Sequence, residues 1–194
     1  MSAPTKTDTL PYMTKLWDGY VDYCRNVSRR LMTINIETAS LLWYECVRVR
    51  AGSVCDLGSG FTSYVLARYA AEADYPVRIV SVDDDPEWLQ RSASFLRRHR
   101  MSAHTLETYT QWVEAGETFD VILHDLAGGE IRNRVMWEAA DRLNPGGVII
   151  FDDMQGDSHN AEMRGVTEAS GWEPIDVKLV TVDETGRYAG LVRT

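Results

Sequence analysis

The chain has 194 residues, of which 44% are hydrophobic, and a formal net charge of -9; this length and composition predict one globular domain with a single core. The acidic charge would repel a nucleic-acid backbone, and the basic cluster at residues 97–100 suits the solvated end of a helix, so we expect no nucleic-acid partner. No apolar run approaches the roughly 20 residues that cross a bilayer, and the first residues lack a secretory-signal pattern, so we expect a soluble, cytoplasmic protein without a membrane partner.

Two amphipathic helices are predicted within residues 1–50. Apolar residues recur every three or four positions in the first helix, from Met13 to Leu31. Asn35 can cap the second helix, whose predicted buried face ends at Val47. These helices are not expected to form a separate domain, and their aromatic residues suit core packing, a lid over the site or a homodimer surface.

A glycine-rich turn follows at residues 53–61, SVCDLGSGF, which predicts a buried strand, a tight loop and the start of a helix. Glycine at 58 and 60 lets the backbone approach a ligand closely, and the helix start directs free N–H groups to the same place. The dinucleotide fingerprint needs a third glycine where this chain has Ser63, and here the acid Asp56 precedes the glycines. The pattern favours a ligand other than NAD, although such turns also close ordinary strand–helix junctions.

This segment resembles the first motif of class I S-adenosylmethionine-dependent methyltransferases, with Thr62 in place of the last glycine of that motif. The resemblance implies that Gly58, Ser59 and Gly60 wrap the methionine part of S-adenosylmethionine. It also implies that Asp56 holds the ammonium group of this cofactor, directly or through water.

The next predicted strand, residues 77–82, ends in three acids. Asp85 can cap a helix that begins at Pro86, so a structural role suffices for it. Asp83 stands at the carboxyl end of the strand, which borders the ligand crevice in a doubly wound sheet. Its position matches the second motif of the methyltransferase family, which implies that its carboxylate accepts hydrogen bonds from the ribose hydroxyls of the cofactor.

The second half of the chain continues this alternation of strands and helices. The predicted segments are strand 119–125, helix 130–143 with Ile131 facing inward, turn 144–147, strand 148–151, helix 161–169, and closing strands 175–182 and 187–192. This order resembles class I methyltransferases, so we expect an α/β fold: a doubly wound, seven-stranded, Rossmann-like sheet with an antiparallel C-terminal strand pair. Residues 51–194 would form the methyltransferase domain.

Three further acids follow adjacent predicted strands: Asp125, Asp152 and Asp153. Two carboxylates about 4 Å apart repel by roughly 4 kcal/mol at an effective dielectric near 20, so the three together require protonation, basic partners or a cation. A hard divalent ion such as Mg²⁺ would meet this need. The arrangement resembles metal-dependent O-methyltransferases of the catechol and antibiotic-sugar type, which implies that all three acids hold Mg²⁺ and that Asp125 is also catalytic. Alternatively, Asp125 contacts substrate or cofactor, and the other two cap loops.

The catalytic base is less clearly marked. The resembling enzymes carry Lys or His three residues after the acid of the fourth strand, where this chain has Gly128. His124 should point away from Asp125 by strand alternation and form a hydrogen bond in the core. His159, in the predicted loop after Asp153, is the candidate base or substrate contact.

These observations predict S-adenosylmethionine-dependent methyl transfer to a hydroxyl of a small-molecule acceptor, assisted by Mg²⁺. Two alternatives stay open: a metal-independent N- or C-methyltransferase, and a protein that binds S-adenosylmethionine without turning it over. The acceptor itself would be selected by loops, which vary freely on a shared fold.

Overall fold

The computed structural model describes residues 2–101, 104–126 and 129–194, and it contains a central sheet with helices on both faces. In chain order the elements are α1 Lys6–Asn26, α2 Ile36–Val49, β1 Ser53–Leu57, α3 Phe61–Glu72, β2 Arg78–Asp83, α4 Pro86–Arg98, β3 Thr105–Thr108, α5 Tyr109–Ala115, β4 Phe119–His124, α6 Gly129–Asp141, β5 Leu143–Phe151, α7 Asp157–Ser170, β6 Pro174–Ile175, α8 Lys178–Thr181 and β7 Gly190–Arg193. A short 3-10 segment, Arg30–Met32, lies between α1 and α2. Among the helices of these segments, none is both long and apolar enough to cross a membrane.

The seven strands form one sheet in the order β3-β2-β1-β4-β5-β7-β6. The strands β3, β2, β1, β4 and β5 run parallel, and β7 is antiparallel to both β5 and β6. This topology confirms the predicted doubly wound sheet with an antiparallel C-terminal pair. The strand order reverses between β1 and β4, and the carboxyl ends of the parallel strands meet at the edge where such sheets bind ligands.

The two N-terminal helices pack on one face of the sheet. Leu16 of α1 and Trp43 of α2 are buried in the same core as Val54 of β1. Asn35 caps α2 as predicted, since its side chain accepts a hydrogen bond of 2.6 Å from the Thr38 N–H. Most of the predicted helical stripe therefore packs into the core.

Three residues of the predicted buried faces are exposed instead. Trp17 is 52% exposed, Leu31 66% and Val47 43%. Leu31 leaves the stripe because α1 ends at Asn26 and the chain turns into the 3-10 segment. Trp17 and Val47, in contrast, lie within α1 and α2 but on sides of these helices that face away from the core.

The C-terminal part differs from the predicted pattern in several places. α7 begins at Asp157, so His159 lies in a helix and not in the predicted loop, and the predicted strand 187–192 is shortened to β7. The predicted strand 175–182 is reduced to the two-residue β6, and residues 178–181 form α8. Asp176 starts this helical turn by accepting a 2.9 Å hydrogen bond from the Lys178 N–H, which competes with strand pairing. The predicted turn 144–147 is instead the irregular start of β5, whose register against β4 shifts between Phe119 and Val121.

A buried ion pair joins the last strand to α2. Glu45 is fully buried, and its carboxylate accepts hydrogen bonds from Arg193 Nη2 at 2.5 Å and Arg193 Nε at 3.2 Å. Arg48 Nε also donates to this carboxylate at 2.7 Å. Because a buried charge is costly without a partner, this bidentate contact fixes β7 against α2.

Replacing Arg193 with methionine should destabilise the protein by about 3–5 kcal/mol, because the Glu45 carboxylate would stay buried with only Arg48 beside it. Urea unfolding measures this loss. Arg30→Met is the matched control, since its 2.7 Å pair with Glu184 is more than half exposed and should change stability by less than about 1 kcal/mol. Equal effects of the two substitutions would contradict the assignment of β7 anchoring to the buried pair.

Candidate active site

The glycine loop lies between β1 and α3, where the sequence predicts it. Gly58 has a φ of +110°, and a Cβ at this position would come within 2.7 Å of the carbonyl carbon of Asp125. The N–H groups of Gly58 and Ser59 both donate to the carbonyl oxygen of Val82, at 2.9 and 3.1 Å. The loop is thus fixed to the end of β2 and touches the backbone after β4, and only glycine fits at position 58.

Asp56 lies behind this loop rather than in the cleft. The Ser63 and Ser81 hydroxyls donate to its Oδ2 at 2.7 and 3.0 Å, and its side chain is completely buried. Burial raises the pKa of Asp56 to about 7. A direct contact with a cofactor ammonium group, one of the two predicted modes, does not fit this geometry, whereas support of the loop through Ser63 does.

The loop forms one side of a cleft of about 320 Å³ at the carboxyl edge of the sheet. Asp83 lines one end of this cleft, as predicted, and its carboxylate accepts hydrogen bonds from Ser59 Oγ at 2.9 Å and from the Asp85 N–H at 3.0 Å. Burial raises the pKa of Asp83 above its ordinary value. Trp88, in the first turn of α4, also lines the cleft and adds an aromatic surface to it.

The three predicted acids meet in this cleft. Asp125, Asp152 and Asp153 each offer a carboxylate oxygen within 4.8 Å of the others. Strand pairing brings them together: the Asp152 N–H donates to the carbonyl oxygen of His124 at 3.0 Å, which aligns the ends of β4 and β5. Burial, reinforced by the neighbouring carboxylates, raises the pKa of Asp152 well above its ordinary value.

Arg132 joins this cluster, and the sequence interpretation missed it. Its Nη2 donates to Asp125 Oδ1 at 2.8 Å and to the carbonyl oxygen of Asp152 at 3.1 Å, and it lies 3.5 Å from Asp153 Oδ2. The side chain is only 7% exposed. A basic partner, one of the three predicted ways to balance the acids, is therefore present.

The inward face of α6 explains why Arg132 was missed. The prediction placed Ile131 on that face, but Ile131 is 44% exposed and the prediction is wrong. The buried stripe contains Arg132, Val135 and Ala139 instead. These positions are three and four residues apart, as on one face of a helix. The helical period therefore places Arg132 on the buried face, but a search for apolar residues alone does not find it.

A second arginine borders the cleft next to the N-terminal segment. Arg187 Nη1 donates to the carbonyl oxygens of Leu31 and Thr33 at 3.2 and 3.1 Å, and its Nη2 pairs with Asp183 at 2.9 Å. Leu31 and Met32 also line the cleft. The 3-10 segment is therefore held over the site from the C-terminal part of the chain.

The histidines are placed differently from each other. His124 is a buried core residue, as predicted: its Nε2 lies 2.8 Å from the carbonyl oxygen of Arg132, and its Nδ1 accepts a hydrogen bond from the Leu126 N–H. Burial lowers its pKa to about 3, so the ring is neutral.

His159 lies in α7 with its Nδ1 2.9 Å from Asn133 Oδ1, and it is not among the described residues that line the cleft. Gly128, which stands where the resembling enzymes carry a Lys or His base, lies outside the described residues.

The sequence itself identifies the family. Residues 55–154 match the family described as "Methyltransferase domain". The chain belongs to the class I S-adenosylmethionine-dependent methyltransferases. A search of curated protein sequences gave no significant match to this methyltransferase.

Solved structures share its fold at low sequence identity. The O-methyltransferase TomG from Streptomyces achromogenes, involved in tomaymycin synthesis and solved with S-adenosylmethionine, is 15% identical over 91% of this chain and 87% of its own, with a TM-score of 0.69. The O-methyltransferase from Bacillus cereus, solved with S-adenosylhomocysteine, is 18% identical over 98% and 92%, with a TM-score of 0.68. A precorrin-6y C5,15-methyltransferase from Geobacter metallireducens is 14% identical over 85% and 91%, with a TM-score of 0.65. The fold is thus shared by enzymes with different acceptors.

Gly58→Ala should destabilise the methyltransferase by at least about 2 kcal/mol, because the new methyl group meets the Asp125 backbone and the backbone angle is strained. Urea unfolding measures the loss. Gly116→Ala is the control: Gly116 also has a positive φ, +61°, but open space surrounds its Cβ position, so about 1 kcal/mol is expected. Similar losses for both would mean that the contact with Asp125 contributes nothing.

Asp56→Asn should make the methyltransferase less sensitive to pH between about 4 and 8. The raised pKa of Asp56 means that the folded state prefers the protonated acid, so this contribution to stability is complete below the unfolded-state pKa and is lost as pH rises through about 7. The loss amounts to about 4 kcal/mol for a shift of this size. Unfolding free energies of both proteins at several pH values test this, and parallel pH curves would contradict it.

Proposed function

We propose that this methyltransferase transfers a methyl group from S-adenosylmethionine to a hydroxyl of a small molecule, with Mg²⁺ held by Asp125, Asp152 and Asp153. The observation that carries the proposal is the contact between the glycine loop and the acidic cluster. Because a Cβ at Gly58 would lie 2.7 Å from the Asp125 carbonyl carbon, the cofactor loop and the acids share one small cleft. An acceptor bound at the acids is therefore next to the cofactor loop.

The residues at the glycine-loop end of the cleft fit S-adenosylmethionine. Gly58, Ser59 and Gly60 leave room for the cofactor to approach the backbone, and Asp83 is placed to accept hydrogen bonds from ribose hydroxyls. We propose Trp88 as a flat surface for the adenine, because it lines the same cleft as Asp83. When bound, S-adenosylmethionine supplies an electrophilic methyl group on a positively charged sulfur.

The acids also fit a hard divalent cation. Asp152 Oδ1 is buried and has no hydrogen-bond partner within the described part of the chain, so it retains a lone pair for a ligand. Carboxylate oxygens are the ligands that Mg²⁺ prefers, and a bound Mg²⁺ would lower the pKa of an acceptor hydroxyl. Asp125, Asp152 and Asp153 would hold the ion and orient the acceptor.

Asp125 is the proposed catalytic residue that would hold the ion beside the acceptor hydroxyl. Without an ion, burial raises the pKa of this carboxyl to about 6; a bound Mg²⁺ would lower that pKa and the pKa of the hydroxyl, so that the hydroxyl would release its proton to solvent. Arg132 opposes the rise caused by burial and keeps the carboxylate in place through the 2.8 Å hydrogen bond. His159, whose Nδ1 lies 2.9 Å from Asn133 Oδ1, stays a prediction as base or substrate contact.

Residues 1–50 supply part of the cleft wall, and residues 51–194 the glycine loop and the acids. Tyr23 lies beside Gly60 of the glycine loop, whereas Leu31 and Met32 line the cleft and are largely exposed, and we propose these two for the acceptor end. These apolar side chains favour a small acceptor that carries an apolar surface beside its hydroxyl.

Metal-independent transfer to nitrogen or carbon is a second candidate, and Arg132 is the observation that favours it. Its guanidinium already balances part of the charge of the acids without an ion. Transfer that continues at full rate after complete chelation would select this candidate.

Calorimetry with S-adenosylmethionine and Mg²⁺, combined with a methyl-transfer assay on hydroxylated aromatic acceptors, tests the proposal. Asp83→Asn should weaken cofactor binding about tenfold or more, since the neutral amide cannot form the charge-assisted hydrogen bonds to the ribose hydroxyls. Asp153→Asn should leave cofactor binding measured without Mg²⁺ intact but remove Mg²⁺ binding and most of the transfer activity. Asp157→Asn, at an exposed acid four residues further on, is the charge-matched control.

Two outcomes would contradict the proposal separately. Cofactor binding unchanged in Asp83→Asn would exclude the ribose contact. Transfer that neither EDTA nor Asp153→Asn reduces would exclude the metal and support the second candidate.

A further inference from the structure

Arg132 is held at both ends in the acidic cluster. Its main-chain carbonyl oxygen lies 2.8 Å from Nε2 of the buried His124, which fixes the first turns of α6 against the end of β4. Its guanidinium bonds to Asp125 Oδ1 and to the carbonyl oxygen of Asp152. The side chain is restrained in this way and is only 7% exposed, so its contacts with the acids are a fixed part of the structure.

The position of the guanidinium matters for any ion that enters. Nη2 lies between the carboxylates of Asp125 and Asp153, at 2.8 Å from one and 3.5 Å from the other. Mg²⁺ requires near-octahedral oxygen ligands at about 2.1 Å. An ion bound between the same two carboxylates would therefore meet a positive charge in its own ligand shell and compete with it for the same oxygen lone pairs.

The negative charge of the three acids also requires a cation beside them. Three carboxylates in a mostly buried cleft repel one another, and Arg132 is the cation that contacts them directly among the described residues. Arg187 also interacts with these acids through its charge, but its hydrogen bonds go to Leu31, Thr33 and Asp183. Removing the charge of Arg132 would thus leave the acids in need of another cation.

We propose that Arg132 is a positioning residue that serves as the built-in counter-cation of Asp125, Asp152 and Asp153, and that a divalent ion binds these acids in exchange for its guanidinium. This inference rests on the proposed metal site. It makes Arg132 the residue that sets the strength of metal binding: with arginine the acids stay assembled without metal and bind an ion weakly, and without it they bind an ion tightly.

Mn²⁺ binding followed by electron paramagnetic resonance tests the exchange, because free Mn²⁺ gives a signal that bound Mn²⁺ loses. Arg132→Gln should bind Mn²⁺ at least about tenfold more tightly than the wild type, since the competing charge is gone. Adding Asp153→Asn to that variant should remove the gain. The melting temperature of Arg132→Gln should fall without metal, and Mn²⁺ should raise it by more than it raises that of the wild type.

Arg134→Gln is the matched control. Arg134 lies on the same helix, but its side chain is 61% exposed and pairs with Glu138 on the surface. This variant should bind Mn²⁺ with wild-type affinity. A merely structural role of Arg132 would lower the melting temperature without tightening the binding of Mn²⁺, so the affinity distinguishes the two roles.

Three outcomes would overturn the exchange. If the wild type binds Mn²⁺ in an Asp153-dependent way but Arg132→Gln binds it no more tightly, the exchange fails and the proposed function stands. If neither protein binds Mn²⁺, both fail. If Arg132→Gln does not fold, the Nε–H resonance of Arg132 in the wild type, assigned by its loss in Arg132→Lys, should shift on addition of millimolar Mg²⁺, and an unchanged resonance would overturn the exchange.

Discussion

Charge balance at the carboxyl edge of the sheet is the constraint on which this site depends. Parallel pairing of β4 with β5 brings Asp125 and the Asp152–Asp153 pair to one point, whether or not their charges tolerate it. A carboxylate that is removed from water must gain a proton or find a cation. Arg132 of α6 supplies part of the positive charge that balances these acids. This explains why a helix that covers the sheet carries an arginine on its buried face.

The glycine loop is subject to a second constraint, which is steric. Gly58 lies against the backbone that follows β4, and its N–H is bonded to the end of β2, so three neighbouring strands of the sheet determine its conformation. Asp56 supports this arrangement from behind through Ser63 and Ser81. In this chain the acid of the family motif, Asp56, therefore supports the glycine loop from inside the protein, whereas Asp83 lines the cleft.

Local signals in the sequence were enough to predict most of the framework. The cap at Asn35 and the Asp85-Pro86 helix start depend on adjacent residues alone, and both are as predicted. Strand order and the meeting of the acids followed from the family resemblance. Position 132 could not be chosen over position 131 by hydrophobicity, because the partners of Arg132 come from β4 and β5, far away in the chain. The helical turn α8 was missed for a different reason: its capping contact from Asp176 is local, but the apolar residues around it also suit a strand.

The contact between Gly58 and Asp125 has one further consequence, which concerns the binding of a cofactor and an ion. The glycine loop and the backbone of Asp125 touch, so a movement of one displaces the other. If a cofactor and an ion bind as proposed, a shift of this contact by either would change the free energy of binding of the other, and thermodynamic reciprocity would make the two effects equal. An apparent affinity for one would then have meaning only at a stated concentration of the other.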